Sequence, residues 1–275
     1  MDWGGLPTAT PDSRFAVVSQ LSNSGYANYH SLVASWRRSF AHGFQGQISY
    51  TWSHALDTVS NGGVLSFSYD SIVNLHSLNY SNADYDVRHN LTGGFIWEMP
   101  KLRNRWLNSA VGGWSAGGRL SDYTGTPFSV TNSGIQGLST TVGETVLADV
   151  LDSHVRTECG RSAVTTPCFA ASQFAPSTTQ ANLGNLPRNS FRGPGLFNLD
   201  GSVFKTAVRR ERLRMDFGVN AYNLLNHPNF SDPVSDLASS GIGLIQATAI
   251  NTSGPYGFRG GPSGRALVVM GKLVF

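Results

Sequence analysis

The sequence has little charge and lacks any long apolar run. Charged residues make up only 13% of the chain, against roughly 25% in soluble globular domains. No segment approaches the roughly 18 consecutive apolar residues of a membrane-spanning helix. These shortages exclude a helical membrane protein and are untypical of a charge-rich soluble domain.

A net charge of one sign is lacking as well. The 20 Lys and Arg residues are accompanied by 17 Asp and Glu residues, which leaves a formal net charge of +3. So small a charge gives no electrostatic reason to expect a nucleic-acid partner.

Cysteine is scarce. Cys159 and Cys168 lie nine residues apart in a segment rich in Ser, Thr, Pro and Ala. An oxidising compartment would join them in a disulfide, two free thiols are the alternative, and a metal site would need further ligands nearby. The seven histidines are scattered, without an HExxH or His-x-His pair. We therefore expect a disulfide at Cys159 and Cys168, and neither a metal nor a cofactor.

The residues that are abundant favour an all-β architecture. Glycine occurs 31 times and aromatic residues make up 11% of the chain. The clearest pattern has a period of two and runs from Gly25 to His54, interrupted by His42-Gly43. After this dipeptide, Phe44, Ile48, Tyr50 and Trp52 share one face, and the other is filled by Gln, Ser and Thr. A face of small uncharged polar residues favours a wet lumen over bulk solvent.

The same alternation recurs along the chain and predicts about eight strands. The strand after His42-Gly43 keeps this period over about ten residues, the length that a tilted strand needs to cross a bilayer. Beyond the pair within 25–54, the predicted strands cover residues 14–21, 85–99, 114–121, 197–203, 212–221 and 267–275.

The predicted connections are sorted by length. Those on one side, predicted to be periplasmic, are short: His42-Gly43, Pro100 to Ser109 and Thr206 to Glu211. Apart from a tight turn at Ser22 to Gly25, those on the other side are long and cover residues 55–82, 125–195 and 225–262. Short periplasmic turns and long extracellular loops are typical of outer-membrane barrels.

Aromatic residues fall at the predicted strand ends, as in the interfacial girdles of such barrels. Near the predicted periplasmic rim lie Phe40, Phe44, Trp97, Trp114 and Phe275, and near the outer rim lie Tyr26, Trp52 and Tyr85.

These patterns predict an antiparallel, up-and-down transmembrane β-barrel segment in the lipid of the cell outer membrane. We expect residues 1–275 to form one domain with residues 125–195 as a long extracellular insertion. The start, Met1 to Gly5, has neither the basic nor the apolar region of a signal peptide. We therefore expect the natural start to lie upstream and the chain to be a fragment.

Several charged residues are predicted to face the lumen. They could line a charged conduit, or they could form an ion-pair network that braces the strands, which we favour. They are Arg37, Arg88, Arg119, Arg214, Glu98 and Asp216.

One motif resembles a catalytic one. Gly113-Trp114-Ser115-Ala116-Gly117 matches the GxSxG nucleophile elbow, which requires a strand-to-helix turn. Here the strand alternation continues through Arg119, so Ser115 is predicted to be a lumen-facing strand residue. We therefore expect no enzymatic activity.

Three segments resemble the barrel C-termini of Oar-like TonB-dependent receptors. They are Tyr85 to Leu91 (YDVRHNL), Arg192 to Gly195 (RGPG) and Asn220 to Phe230 (NAYNLLNHPNF). The final strand adds Leu267, Val269, Gly271, Leu273 and the terminal Phe275, a pattern similar to the signal read by the barrel assembly machinery, although Gly271 is displaced by one position. The resemblance covers most of residues 26–275.

The resemblance implies a ligand-importing receptor with a plug domain, a link to TonB and a barrel of about 22 strands. This chain would be roughly its last third, without the plug, and its partners would be the rest of the receptor, TonB and an imported ligand. Three alternatives stay open: a self-contained eight-stranded barrel acting as an adhesin or structural surface protein, an outer-membrane serine hydrolase, and a soluble β-sandwich.

Overall fold

Within the described residues, the regular structure consists of twelve β-strands and two short 3-10 helices. The computed structural model describes residues 25–58, 60, 80–100, 103, 104, 106, 108, 112–132, 147–175, 185–210, 213–249 and 264–275. The strands are β1 (Ala27–Ala41), β2 (Phe44–Asp57), β3 (Ser81–Asn82), β4 (His89–Glu98), β5 (Trp114–Tyr123), β6 (Pro127–Phe128), β7 (Asp149–Val150), β8 (Phe174–Ala175), β9 (Phe191–Arg192), β10 (Leu196–Arg210), β11 (Leu213–Tyr222) and β12 (Ala266–Val274). Two short 3-10 helices cover Arg161–Val164 and Ala171–Gln173.

Seven long strands form one antiparallel meander in the order β1-β2-β4-β5-β10-β11-β12, and the short β3 pairs with β2. The first hairpin shows why the sequence folds this way. Ala41 pairs with Phe44 across His42 and Gly43, whose φ angles are 53° and 79°. Two consecutive positive φ angles match the type I′ turn, whose twist suits a two-residue hairpin.

The sheet has two ends. The short connections at residues 42–43, 99–113 and 211–212 define the turn end. The long connections at residues 58–88, 124–195 and 223–265 define the loop end. The predicted sorting of connections by length is therefore present in the fold. Within the described residues, no helix is long and apolar enough to cross a membrane.

Two predicted boundaries were wrong. The strand predicted to start at Tyr85 starts at His89, because Asp86 pairs with Arg192 and Arg88 and accepts from the amide of Ala55. The turn predicted at Thr206 to Glu211 is occupied by β10, which continues to Arg210 and pairs with β11 through a register shift after Thr206. The predicted strand at 14–21 lies outside the described residues.

Cross-strand pairing gives the sheet an apolar face and a polar face, because directly paired residues lie on the same side. The polar face carries Gln, Ser, Thr, Asn and most of the charged strand residues. The apolar face carries Leu32, Ala34, Trp36, Gly46, Ile48, Tyr50, Trp52, Leu91, Gly93, Phe95, Trp97, Ala116, Gly118, Leu120, Leu199, Gly201, Val203, Phe217, Val219, Ala221, Leu267, Val269, Gly271 and Leu273.

The large side chains of the apolar face are exposed, and the buried core lies elsewhere. Trp97 is 40% exposed, Phe217 50% and Val269 81%. The buried hydrophobic cluster is formed almost entirely by residues 128–191 and Ile245, all in the long connections. In a soluble sandwich, the apolar faces of the sheets would form the buried core. Here the apolar face of the sheet is exposed and the apolar side chains of the long connections are buried, so the fold is not a soluble sandwich.

Gly43 is expected to tolerate no side chain. A Cβ there would lie 2.5 Å from the carbonyl oxygen of Glu98, and the φ angle is left-handed. Gly43→Ala should lower the free energy of unfolding by about 1–2 kcal/mol from the backbone conformation alone. The measurement is urea-dependent unfolding in lipid vesicles.

Gly160→Ala is the matched control, since a Cβ at Gly160 meets no atom within 4 Å. Equal stability of the Gly43→Ala and Gly160→Ala variants would show that the hairpin does not depend on this turn geometry.

Candidate functional site

The long connections gather into one packed structure at the loop end, here called the loop cap. It comprises residues 80–88, 124–132, 147–175, 185–195 and 223–249. Isolated bridges join its parts: Thr131 pairs with both Leu147 and Asp236, and Glu158 pairs with Arg192. Residues from two different connections therefore share backbone hydrogen bonds within the loop cap.

Four phenylalanines form the centre of the loop cap. The ring centroids of Phe169 and Phe191 are 5.2 Å apart, those of Phe169 and Phe174 are 5.5 Å apart, and those of Phe128 and Phe191 are 5.7 Å apart. Phe191 is fully buried. These separations suit offset or edge-to-face packing of aromatic rings, so the cap has a hydrophobic core of its own.

The structure joins Cys159 and Cys168 in a disulfide, with their Cα atoms 5.5 Å apart. The enclosed segment is also bonded to the last long connection. The amide of Cys168 donates to the carbonyl of Gly243 at 2.8 Å, and the amide of Ile245 donates to the carbonyl of Ala163 at 2.9 Å. Gly243 has a φ of 77°, and a Cβ there would overlap the backbone of Phe169. The disulfide loop thus joins the long connection at residues 124–195 to the one at residues 223–265.

Arg188 holds the loop cap to the end of β2. Its side chain is fully buried and pairs with Asp57, whose side chain is 2% exposed. It also contacts Asp84 at 3.4 Å and donates to the hydroxyl of Ser60 at 3.0 Å. The neighbouring Asn189 donates to the same Asp84 at 2.6 Å. A buried arginine with this many acceptors fixes the position of residues 185–190 relative to the sheet.

A second arginine repeats the arrangement. Arg192 pairs with Asp86, whose side chain is fully buried, and donates to the carbonyl of Gly125 at 3.2 Å. The same carboxylate of Asp86 accepts from the amide of Ala55 at 2.7 Å and lies 3.5 Å from Arg88. Together, three arginines meet three aspartates. The charges balance, so this network acts as a structural anchor and not as a charged binding pocket.

Asparagines terminate the β10–β11 hairpin at the loop end. Asn223 has a φ of 49°, donates its amide to Asp200 at 2.9 Å and accepts from the amide of His227 at 2.9 Å. Asn226 accepts from the amide of Arg265 at 3.0 Å, and Asn229 accepts from the amide of Phe197 at 2.9 Å. Asn tolerates left-handed backbone and its side chain bonds nearby backbone groups. The Asn-rich segment therefore holds strand ends in place.

The loop cap folds over the polar face of the sheet. On β2 the polar-face residues nearest the cap, Ser53, Ala55 and Asp57, are buried, whereas Trp52 on the apolar face remains 40% exposed. Towards the turn end, Gln45 and Gln47 on the polar face are exposed again. The outer part of the polar wall is thus covered and its inner part is open.

The six charged residues predicted to face the lumen have different positions. By register, Arg37, Arg119, Arg214, Glu98 and Asp216 lie on the polar face. Arg88 precedes β4 and belongs to the Asp86 network, so its predicted strand position was wrong. Of the six, only Arg214 and Asp216 pair with one another, at 2.8 Å, and both are on β11. That pair lies within one strand, so a bracing network across strands stays a prediction.

The remaining predicted sites are placed as follows. Ser115 lies inside β5 opposite Phe204, so the turn that a nucleophile elbow needs is absent at this position. Within the described residues, no group of three or more His, Cys, Asp or Glu is arranged to hold a metal ion. On β12, Leu267, Val269, Gly271 and Leu273 share the apolar face, and Phe275 is 94% exposed. Recognition of this strand by an assembly machinery stays a prediction.

Sequence reasoning missed the anchors of the loop cap. None of Asp57, Asp84, Arg188 and Asn189 was predicted to be a site residue. Arg188 and Asp57 are 131 positions apart, and no local pattern connects them. Two segments selected by resemblance, Tyr85 to Leu91 and Arg192 to Gly195, contain Asp86, Arg88 and Arg192 and were the available signal.

Tyr85 and Asp152 are among the groups of the loop cap that have a shifted pKa. Burial, and then the carboxylate of Asp57, raise the pKa of the Tyr85 hydroxyl. Hydrogen bonds from the backbone of His154 and the side chain of Gln173 lower the pKa of Asp152. Both shifts follow from contacts that fold the cap.

Comparison with known proteins agrees with this geometry. A family model described as an outer membrane beta barrel domain matches residues 3–259. Among curated proteins, none matches the chain.

Arg188→Gln is expected to loosen the loop cap. It leaves the buried Asp57 and the half-buried Asp84 without their cation, and breaking a buried ion pair such as that of Arg188 with Asp57 costs about 3–5 kcal/mol. Hydrogen exchange at the amides of Asn189 and Arg192, which are bonded across the cap, should accelerate strongly. Arg156→Gln removes an exposed charge and should change neither. Unchanged protection in Arg188→Gln would contradict the anchoring role.

Reduction of the disulfide should affect the cap and spare the sheet. Closing a loop of this length stabilises the folded state by about 2–3 kcal/mol. After reduction, exchange at the amides of Cys168 and Ile245 should accelerate, while amides within β10 and β11 stay protected. Equal acceleration in both regions would mean that the cap and the sheet unfold as one unit.

Proposed function

The chain belongs to the outer-membrane β-barrel domain family, and we propose that it is the C-terminal barrel portion of a TonB-dependent receptor that imports a ligand. The family places it in the cell outer membrane. In this proposal the apolar face contacts lipid and the polar face borders the inside of a large barrel, which contains a plug domain supplied by another part of the receptor.

Strand direction supports a barrel with further strands. Seven long strands in a meander leave β1 and β12 running in the same direction, so they cannot pair with each other antiparallel. Bacterial barrels are closed by antiparallel strands in even number, and unpaired edges are strongly unfavourable in lipid. At least one more strand, running from the turn end to the loop end, is therefore needed.

The single observation that carries the proposal is the exposure of the polar face. Eight-stranded barrels fill their interior with side chains. Here Arg37, Gln47, Thr92 and Arg119 are exposed on the polar face, and Ile96 on the same face is 47% exposed. A wall with this much open surface suits a wide barrel that holds a plug.

The loop cap supplies the other part of the proposal. A receptor needs a shaped external surface, and the cap has its own core, a disulfide and buried anchors to the sheet. We assign ligand contact to the loop cap and energy coupling to the plug and TonB. The role is non-enzymatic, and assembly would use the terminal strand that ends at Phe275.

The alternative is a self-contained eight-stranded barrel, an adhesin or structural surface protein. It is favoured by the strand predicted at residues 14–21, which would make the count even. That strand would lie between β1 and β12 and bring them within two strand spacings, about 10 Å. In a larger barrel the two would be far apart.

Cross-linking distinguishes the two. Ala34→Cys on β1 is combined in turn with cysteine at Leu267, Val269 and Leu273 on β12, and the chain in vesicles is treated with a bifunctional maleimide reaching about 10 Å, two strand spacings. The receptor proposal predicts no cross-link between Ala34→Cys and any of the three positions on β12. Ala34→Cys with Leu91→Cys is the positive control, since both flank Tyr50 in register and must react in either case.

A β1–β12 cross-link would contradict the proposal and establish the small barrel. The receptor proposal also predicts no solute uptake by vesicles containing this chain alone, because the plug and the remaining wall are missing. Specific uptake would count against it in the same way.

A further inference from the structure

The turn end carries a large excess of positive charge. Residues 37–44, 97–114, 205–216 and 272–275 contain eleven of the 20 basic residues but only three of the 17 acidic ones. The basic residues are Arg37, Arg38, Lys101, Arg103, Arg105, Lys205, Arg209, Arg210, Arg212, Arg214 and Lys272, and the acidic ones are Glu98, Glu211 and Asp216. With a net charge of only +3 for the whole chain, the remainder is net negative. The charge is therefore separated along the strand axis.

The two acidic residues of this region that the structure describes do not share a face with Arg38 and Lys205. Glu98 and Asp216 lie on the polar face, where Arg214 pairs with Asp216 and Lys272 lies opposite it. Among the basic residues whose side chains the structure describes, two lie on the apolar face instead.

Those two cations are Arg38 and Lys205. Arg38 pairs in register with Gly46 and Lys205 with both Trp114 and Phe217, which puts both on the side that faces lipid. The Arg38 guanidinium lies 5.5 Å from the ring centroid of Phe44, and the Lys205 ammonium lies 5.1 Å from that of Trp114. Gly46 provides the space for the first pair, since a Cβ there would be 3.2 Å from the Phe44 ring.

A cation on the lipid side is costly at the bilayer midplane, about 2–4 kcal/mol, but costs little near the interface. Its position therefore marks the depth of the headgroups. Arginine and lysine place their apolar stems along the wall and their charges in the polar layer, and the aromatic rings beneath them hold the charge there. Arg103, exposed in the neighbouring connection, adds charge at the same end.

We propose that the turn end binds the phosphate-bearing headgroups of anionic phospholipids in the leaflet next to it. The aromatic-backed cations Arg38 and Lys205 are the contact points, and the exposed Arg103 adds to the positive field around them. An aqueous acidic partner would not require cations on the lipid side of the wall. This inference rests on the family and the fold and does not depend on import.

The test uses the full chain in phosphatidylcholine vesicles that contain one-fifth phosphatidylglycerol. The acyl chains of either the phosphatidylglycerol or an equal amount of phosphatidylcholine are brominated. Quenching of tryptophan fluorescence then reports which lipid is enriched around the tryptophans on the lipid side, among them Trp97 and Trp114. Brominated phosphatidylglycerol should quench more strongly, and the difference should shrink at high salt because salt screens the attraction.

Arg38→Gln and Lys205→Gln should each reduce the preference for the anionic lipid by up to about fivefold, the factor corresponding to about 1 kcal/mol per basic residue. The matched controls are Arg156→Gln and Arg161→Gln, each of which removes one positive charge from an exposed position in the loop cap and should leave the preference unchanged. Circular dichroism verifies that each variant retains its sheet. Arg103→Gln is a third variant, which removes a basic residue of the turn end that lies outside the strands.

Equal quenching by the two brominated lipids would overturn the proposal. So would an equal loss of preference in the loop-cap control, since the effect would then reflect net charge alone. Failure of either kind leaves the receptor proposal untouched, because the cross-linking test measures barrel size and not lipid contact.

Discussion

Lipid cannot hydrogen bond to a peptide group, and most of this structure follows from that constraint. Every backbone N–H and C=O in the hydrocarbon layer must find a partner within the protein, so the chain crosses in long strands that pair with both neighbours. Pairing fixes register, and register fixes which side chains share a face. Trp97 and Val269 are exposed because their environment is apolar, and Gln45 and Gln47 lie opposite to them because the other side is wet.

The same constraint explains why the hydrophobic core lies outside the sheet. Where the chain leaves lipid, it returns to a solvent that rewards burial of apolar surface. The long connections therefore bury Phe128, Phe169, Phe174 and Phe191 together. Their backbone groups have no regular sheet to provide hydrogen bonds. They bond instead within short strands, to asparagine side chains and across bridges between connections. The loop cap thus behaves like a small globular protein attached to a membrane wall.

This division sets how much of the molecule could be predicted from sequence. The strands were predictable because lipid and lumen impose a period of two that is visible locally, as in residues 44–52. The turn at Thr206 to Glu211 was misplaced because a register shift interrupts the alternation and Arg209 and Arg210 read as a polar turn. The strand predicted from Tyr85 started too early because Asp86 and Arg88 alternate correctly by sequence but are held in an ion-pair network. The pairing of Arg188 with Asp57 joins positions with no shared local pattern, so only tertiary packing could place it.

Charge is used differently at the two ends, and the reason is the surrounding medium. At the loop end, Asp57, Asp84 and Asp86 are matched by Arg188, Arg192 and Arg88, because an unpaired buried charge would destabilise the cap. At the turn end, cations such as Arg38 lie at an interface, where water and headgroups solvate them and an acidic residue is not required. Buried charges are therefore paired with charges of opposite sign, whereas interfacial charges are placed at the depth of the headgroups. Arg119 is exposed midway along the polar face, opposite Asp200. It is neither buried nor at the interface, so its charge is explained by the surroundings of the polar face and not by either of these reasons.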